Sequence, residues 1–110
     1  MNTQFKKGIL EMCILSIIFE RDMYGFEVID TLAREIDVNE NTVYPILRRL
    51  TGQGLFDTYE KQTNIGAPRK YYKITPTGEK KLKEYESEWR TFLQGVFKLL
   101  GGLSHENKLS

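Results

Sequence analysis

From Ile9 to Phe19 the chain reads ILEMCILSIIF, with nine apolar residues in eleven, broken only by Glu11 and Ser16. No other segment constrains the fold so much. The spacing predicts a helix over Phe5 to Glu20. At about 100° per residue its apolar side chains surround nearly the whole axis. A helix that is apolar all round has to be covered on every side. The run is too short to cross a bilayer, which takes about 20 apolar residues. The helix is therefore expected at the centre of a small protein, one side covered by its own chain and the other by a second copy.

The remaining elements follow from local signals. Arg21-Asp22-Met23 reads as a turn. Tyr24 to Ile36 reads as a second helix, with Val28, Ile29, Leu32 and Ile36 at helical spacing. Asn39 is a good N-cap for a third helix that ends near Gly52 or Gly54. Pro45 removes one backbone hydrogen bond inside it, which predicts an irregular first turn. Leu55 to Lys61 and Arg69 to Thr75 read as strands, joined through the turn formers of Gln62 to Pro68 into a β-hairpin. Thr75 caps a fourth helix with Pro76 at its first position. That helix runs to about Leu100, where Gly101-Gly102 stops it. Residues 101–110 read as a disordered tail. The fold class is mainly α with a small β-hairpin. Three helices followed by a hairpin is the order of a winged helix-turn-helix, placed at residues 1–75. Residues 76–100 add a long C-terminal helix.

Little in the chain suits catalysis. Its 110 residues give room for one domain, and they hold one cysteine, Cys13, and one histidine, His105, in the predicted tail. One cysteine allows no intramolecular disulfide, and the two residues together cannot supply a zinc site of four protein ligands. No phosphate-binding glycine fingerprint is present. The carboxylates sit mainly on amphipathic helix faces. No catalytic residue, metal or cofactor is expected. The start, MNTQFKK, is followed by no small-residue cleavage site, so the expected location is cytoplasmic, with no membrane partner.

Charge is unevenly spread although the net is only +1. Glu20 to Glu40 hold seven acids and two bases; Asn41 to Thr75 hold six bases and two acids. Such a split suggests an anionic partner for the second region. On the third helix Val43, Leu47 and Leu50 point inward, with Ile46 beside them. Asn41, Pro45 and Arg48 point the other way, flanked by Thr42, Tyr44 and Arg49. Arginine can pair guanine and asparagine can pair adenine, each through two hydrogen bonds. Taken alone, this helix could equally present an ordinary solvated face. In the hairpin, alternation turns Tyr72 and Ile74 to the core and Arg69, Tyr71 and Lys73 to the other face. Cations there suit phosphates beside a groove that holds the helix; otherwise they keep an exposed strand soluble and unpaired.

The first helix carries KGILEMCIL, the second opens with YGFEV, and the third contains NTVYPILRRL. Gly54-Leu55 and GAPRKYYKITPTG across the hairpin complete a series that resembles the PadR family of transcriptional regulators over Phe5 to Leu100. The resemblance implies a dimeric repressor that binds palindromic promoter DNA and, in some members, releases it on meeting a small aromatic or hydrophobic compound. It places recognition-helix contacts at Asn41, Thr42, Tyr44, Arg48 and Arg49, and wing contacts at Gly66, Arg69 and Lys70. Lys6, Lys7 and the helix start at Tyr24-Gly25 would add phosphate contacts. Two positions depart from the family pattern: Asn41 stands where glycine is common, and Ala67 where a second arginine is.

The fourth helix points to a homodimer independently. Leu82, Tyr85, Trp89, Phe92, Val96 and Leu99 are spaced 3-4-3-4-3, a heptad seam that suits a partner helix. Trp89 and Phe92 either line a cavity between subunits for an aromatic effector or are dimer core. A winged-helix protein-interaction module without DNA binding, using its acidic second helix, is the alternative function.

Overall fold

Leu10, Ile14, Leu15 and Ile18 are all buried on the first helix, α1 (Thr3–Glu20), which forms the axis of the molecule. The structure, a computed structural model, describes residues 3–101. The predicted tail lies outside these residues, apart from Gly101, and so does His105. α1 is followed by β1 (Met23–Tyr24), α2 (Gly25–Ala33), α3 (Glu40–Gly52), β2 (Phe56–Lys61), β3 (Arg69–Ile74) and α4 (Pro76–Leu99). Val28 and Leu32 of α2, the four inward residues of α3, and Phe56 and Tyr72 of the sheet complete the core around α1.

Local chemistry sets the helix starts. Asn39 Oδ1 accepts the Thr42 N–H at 3.3 Å, and Thr75 Oγ1 accepts the Gly78 N–H at 2.9 Å. Glu27 reaches back to accept the Tyr24 N–H at 3.2 Å, which holds the start of α2. The first turn of α3 is regular despite Pro45, contrary to expectation: the helix begins at Glu40, and Thr42 and Val43 both donate to the Asn39 carbonyl, each at 3.1 Å, a sharing common at helix ends. Pro45 leaves the Asn41 carbonyl without its usual donor, on the exposed side of the helix. At the end of α3 the chain reverses through Gly54, whose φ of +78° favours glycine.

The sheet has three antiparallel strands in the order β1-β3-β2. The short β1 corrects the reading of Arg21 to Met23 as a plain turn: Met23 pairs with Tyr72 and Tyr24 with Tyr71. α2 also stops at Ala33, earlier than expected, which leaves Ile36 exposed rather than in the core.

α4 divides the predicted seam in two. Leu82 is buried in the protomer's own core and Tyr85 packs against it, because the first half of α4 lies along α1. Leu82 is thus corrected from a partner contact to a core residue. The second half of α4 is less covered by its own chain, and Phe92, Leu93, Phe97, Leu99 and Leu100 are exposed. The projection shows in the dimensions. The radius of gyration is 16.8 Å and the extents are 56 × 29 × 23 Å, whereas a compact domain of this length has a radius of about 13 Å.

Candidate nucleic-acid interface

The outward face of α3 is narrower than the sequence suggests. Asn41, Pro45 and Arg48 are exposed. Thr42 is half-buried at the cap, beside Asn39. Tyr44 lies across the start of α2: a Cβ added at Gly25 would come 2.6 Å from its ring carbon Cε1. Glycine at 25 therefore lets α2 and α3 approach, and Tyr44 fills the joint instead of standing free. Arg49 turns sideways into an ion pair with Glu11 of α1. Of the five expected recognition residues, Asn41 and Arg48 face solvent and the other three are partly occupied within the protomer.

The register of the hairpin decides how the wing presents its charge. Glu60 lies opposite Lys70 and Asp57 opposite Lys73, so each of these lysines has an acid across the ladder. Lys61 lies opposite Arg69. Like charges directly opposite each other are unfavourable in isolation, and an anion between them would relieve the repulsion. Lys61 was not among the expected contacts. Counting the ladder outward from the seven-residue loop, Gln62 to Pro68, would have found it.

Aromatic rings support these cations. Tyr24, Tyr71 and Tyr59 form a row across the three strands, with centroids 5.6 Å and 5.5 Å apart. The Arg69 guanidinium sits 4.4 Å above the Tyr24 ring and the Lys61 ammonium 5.2 Å above Tyr71. Such contacts stabilise by about 0.5–1 kcal/mol at exposed sites and hold the side chains to one face. Tyr24 thus acts as a platform under Arg69. Tyr59 Oη donates to Asp22 at 2.6 Å, and this bond, with some desolvation, pushes its phenol up to about 12.

On the opposite face of the wing, the Lys70 ammonium lies 5.7 Å over Tyr72. Burial pushes the Tyr72 phenol up, and the charge of Arg48 acts against that rise. Gly66, at φ +106°, shapes the wing tip, where Thr63 Oγ1 donates to the Ala67 carbonyl at 3.3 Å. Lys6 and Lys7 stand beside the start of α3 and share with Asn41, Thr42, Pro45 and Arg49 a cavity of about 410 Å³. Lys6 Nζ donates to the Asp37 carbonyl at 3.2 Å. Lys6 and Lys7 of α1 thus stand beside Asn41 at the start of α3, and Arg69 of the wing stacks on Tyr24, next to the joint between Gly25 and Tyr44 of α3.

A second cavity, of about 390 Å³, lies between α1 and α4 and is lined by Met12, Cys13, Ser16, Ile17, Trp89 and Leu93, among others. Trp89 and Phe92 meet edge to face at 5.9 Å. Burial pushes the Cys13 thiol up, away from the reactive thiolate. Among the described residues no helix is long and apolar enough to cross a membrane.

Three helices, a sheet with a projecting hairpin and a second, exposed face on α3 define a winged-helix protein. Residues 14–84 match the PadR-like family of transcriptional regulators. A PadR-like transcriptional regulator from Bacillus cereus superposes with a TM-score of 0.82 at 36% identity, over 91% of this chain and 99% of that one. A PadR family transcriptional regulator from Eggerthella lenta gives a TM-score of 0.78 at 38% identity, over 88% and 86%. A transcriptional regulator of Mycobacterium tuberculosis is 29% identical over 93% of this chain and 92% of its own length. The chain belongs to the PadR-like family, whose members are transcriptional regulators and not enzymes.

Proposed function

We propose that this protein is a cytoplasmic, homodimeric repressor that binds palindromic promoter DNA. The observation that carries the reading is the exposed pair Asn41 and Arg48 on α3, beside a wing whose Lys61 and Arg69 face each other without an acid between them. Arg48 and Asn41 read base edges in the major groove. Arg69, Lys61, Lys70 and Lys73, with Lys6 and Lys7, neutralise phosphates and set the register. Residues 1–75 form the DNA-binding unit and 76–100 the dimerisation helix. The exposed stretch from Phe92 to Leu100 meets its symmetry mate, with Trp89 and Val96 at the seam. Two copies then place two α3 helices on half-sites about 34 Å apart. A dimer seated across a promoter blocks access to it.

The cavity beside Trp89 takes a small aromatic or hydrophobic effector, with Phe92 at its edge. An effector releases DNA only if it prefers one spacing of the recognition helices over the other. Binding of labelled duplex fragments across a salt series tests the reading. With roughly six to ten phosphates neutralised per dimer, affinity falls about 10³–10⁵-fold between 50 and 200 mM salt. Absence of duplex binding at 50 mM salt would favour the protein-interaction alternative.

A further inference from the structure

Glu11 is the one charged residue between Ile9 and Phe19, and its side chain is only 14% exposed. A carboxylate so far out of water needs partners. It has two, from two different elements. Oε1 takes the Arg49 guanidinium of α3, and Oε2 accepts the Tyr85 hydroxyl of α4 at 2.8 Å. One side chain on the central helix thus joins the recognition helix to the long helix. The Arg49 side chain keeps 30% exposure and lines the cavity it shares with Lys6, Lys7 and Asn41. Released from Glu11, it would add a cation to that side of the protein.

We propose that Glu11 and Tyr85 are positioning residues that hold Arg49 back from the phosphate backbone, so that the packing of α4 on α1 sets the charge the recognition helix offers to DNA. The proposal rests on the DNA-binding reading above. A guanidinium neutralised by a carboxylate attracts phosphate little, which leaves a larger share of the binding to the base contacts of Arg48 and Asn41. Donation from Tyr85 fixes the plane of the carboxylate and with it the Arg49 contact. The cavity between α1 and α4 includes Met12 and Glu86, the chain neighbours of Glu11 and Tyr85. Anything that parts the two helices there strains the Tyr85 contact first.

The test is binding to a random-sequence duplex across a salt series, for the wild type, Glu11→Gln, Tyr85→Phe and the double variant. Each cation freed onto a phosphate steepens the log–log slope by about 0.9, so Glu11→Gln steepens it by about 2 per dimer and tightens random-sequence binding. Tyr85→Phe moves the slope the same way by less. The double variant matches Glu11→Gln, because Tyr85 acts only through Glu11. In an Arg49→Ala background Glu11→Gln leaves the slope unchanged. The proposal is overturned if Glu11→Gln does not steepen the slope, or if Tyr85→Phe adds to its effect. Should Glu11→Gln fail to fold, Tyr85→Phe loses only a hydroxyl and decides the matter alone: an unchanged slope overturns the proposal. A wild type that binds no duplex would instead sink the DNA-binding reading itself, a separate outcome from a bound wild type with indifferent variants.

Discussion

Phe92→Ala is expected to weaken the dimer without unfolding the protomer. The Phe92 side chain is 57% exposed in the single chain and touches the edge of Trp89. Full burial of such a side chain stabilises by about 1.5–3 kcal/mol. The exposed part then contributes about 1–2 kcal/mol per protomer when a partner covers it, or about 2–4 kcal/mol for the two copies in a dimer. At about 1.4 kcal/mol per factor of ten, the dissociation constant rises roughly 30- to 1,000-fold. Phe92→Glu goes further, because it sets a charge into the covered seam. Sedimentation equilibrium over a concentration series measures the constant, and circular dichroism checks that helix content is retained. A variant that associates as tightly as the wild type, or a wild type that is monomeric at micromolar concentration, refutes the reasoning.

Four further outcomes follow from the same geometry. Arg69→Ala with Lys70→Ala lowers affinity for all sequences and flattens the salt slope, by up to about 0.9 per lost phosphate contact; an unchanged slope means the wing does not touch phosphate. Arg48→Ala relaxes preference at one base pair per half-site by about 1–3 kcal/mol in competition binding; a uniform loss over all sequences makes Arg48 a phosphate contact instead. Gly78→Ala would set a Cβ 2.2 Å from the Leu55 carbonyl oxygen, so overpacking by about 1–3 kcal/mol should lower the thermal midpoint. A stable variant there contradicts the docking of α4 against the end of the α3–β2 turn. Tyr59 and Tyr85 are each pushed from 10.0 to about 12, Tyr59 chiefly by its bond to Asp22, Tyr85 by burial and its bond to Glu11. Folding favours the neutral phenol in both, so their contribution is full below pH 10 and is lost as pH rises toward about 12. Denaturation against pH should show a smaller alkaline loss in the Tyr59→Phe, Tyr85→Phe double variant; an equal loss contradicts the assignment.

The parts of this fold legible in the sequence are those fixed by neighbouring residues. Asn39 and Thr75 announce helix starts because a cap is satisfied within three residues, and both bonds are present. The inward face of α3 follows from spacing alone. β1 escapes such a reading, since two residues have no period and their partners Tyr72 and Tyr71 lie far along the chain. The heptad spacing of α4 is equally compatible with packing on its own α1 or on a second copy. Only the three-dimensional packing decides for its first half, where Leu82 is buried in the protomer's own core and Tyr85 packs against it. Glu11 looks like an interruption in an apolar run, because its two partners are 38 and 74 residues away. The same contact turned Arg49 aside from the face that helical periodicity gave it.

The most direct test of the account is a hydroxyl-radical footprint on duplexes selected from genomic fragments by the protein. A dimer that reads DNA through α3 should give a two-fold-symmetric site with protected backbone in two equivalent patches, their centres one helical turn of about 10–10.5 base pairs, or a multiple of it, apart. Arg48→Ala should keep the spacing while loosening the selected sequence at one symmetric pair of positions. Selection of no common sequence, or a single unsymmetric patch, would contradict a dimer that reads DNA through α3.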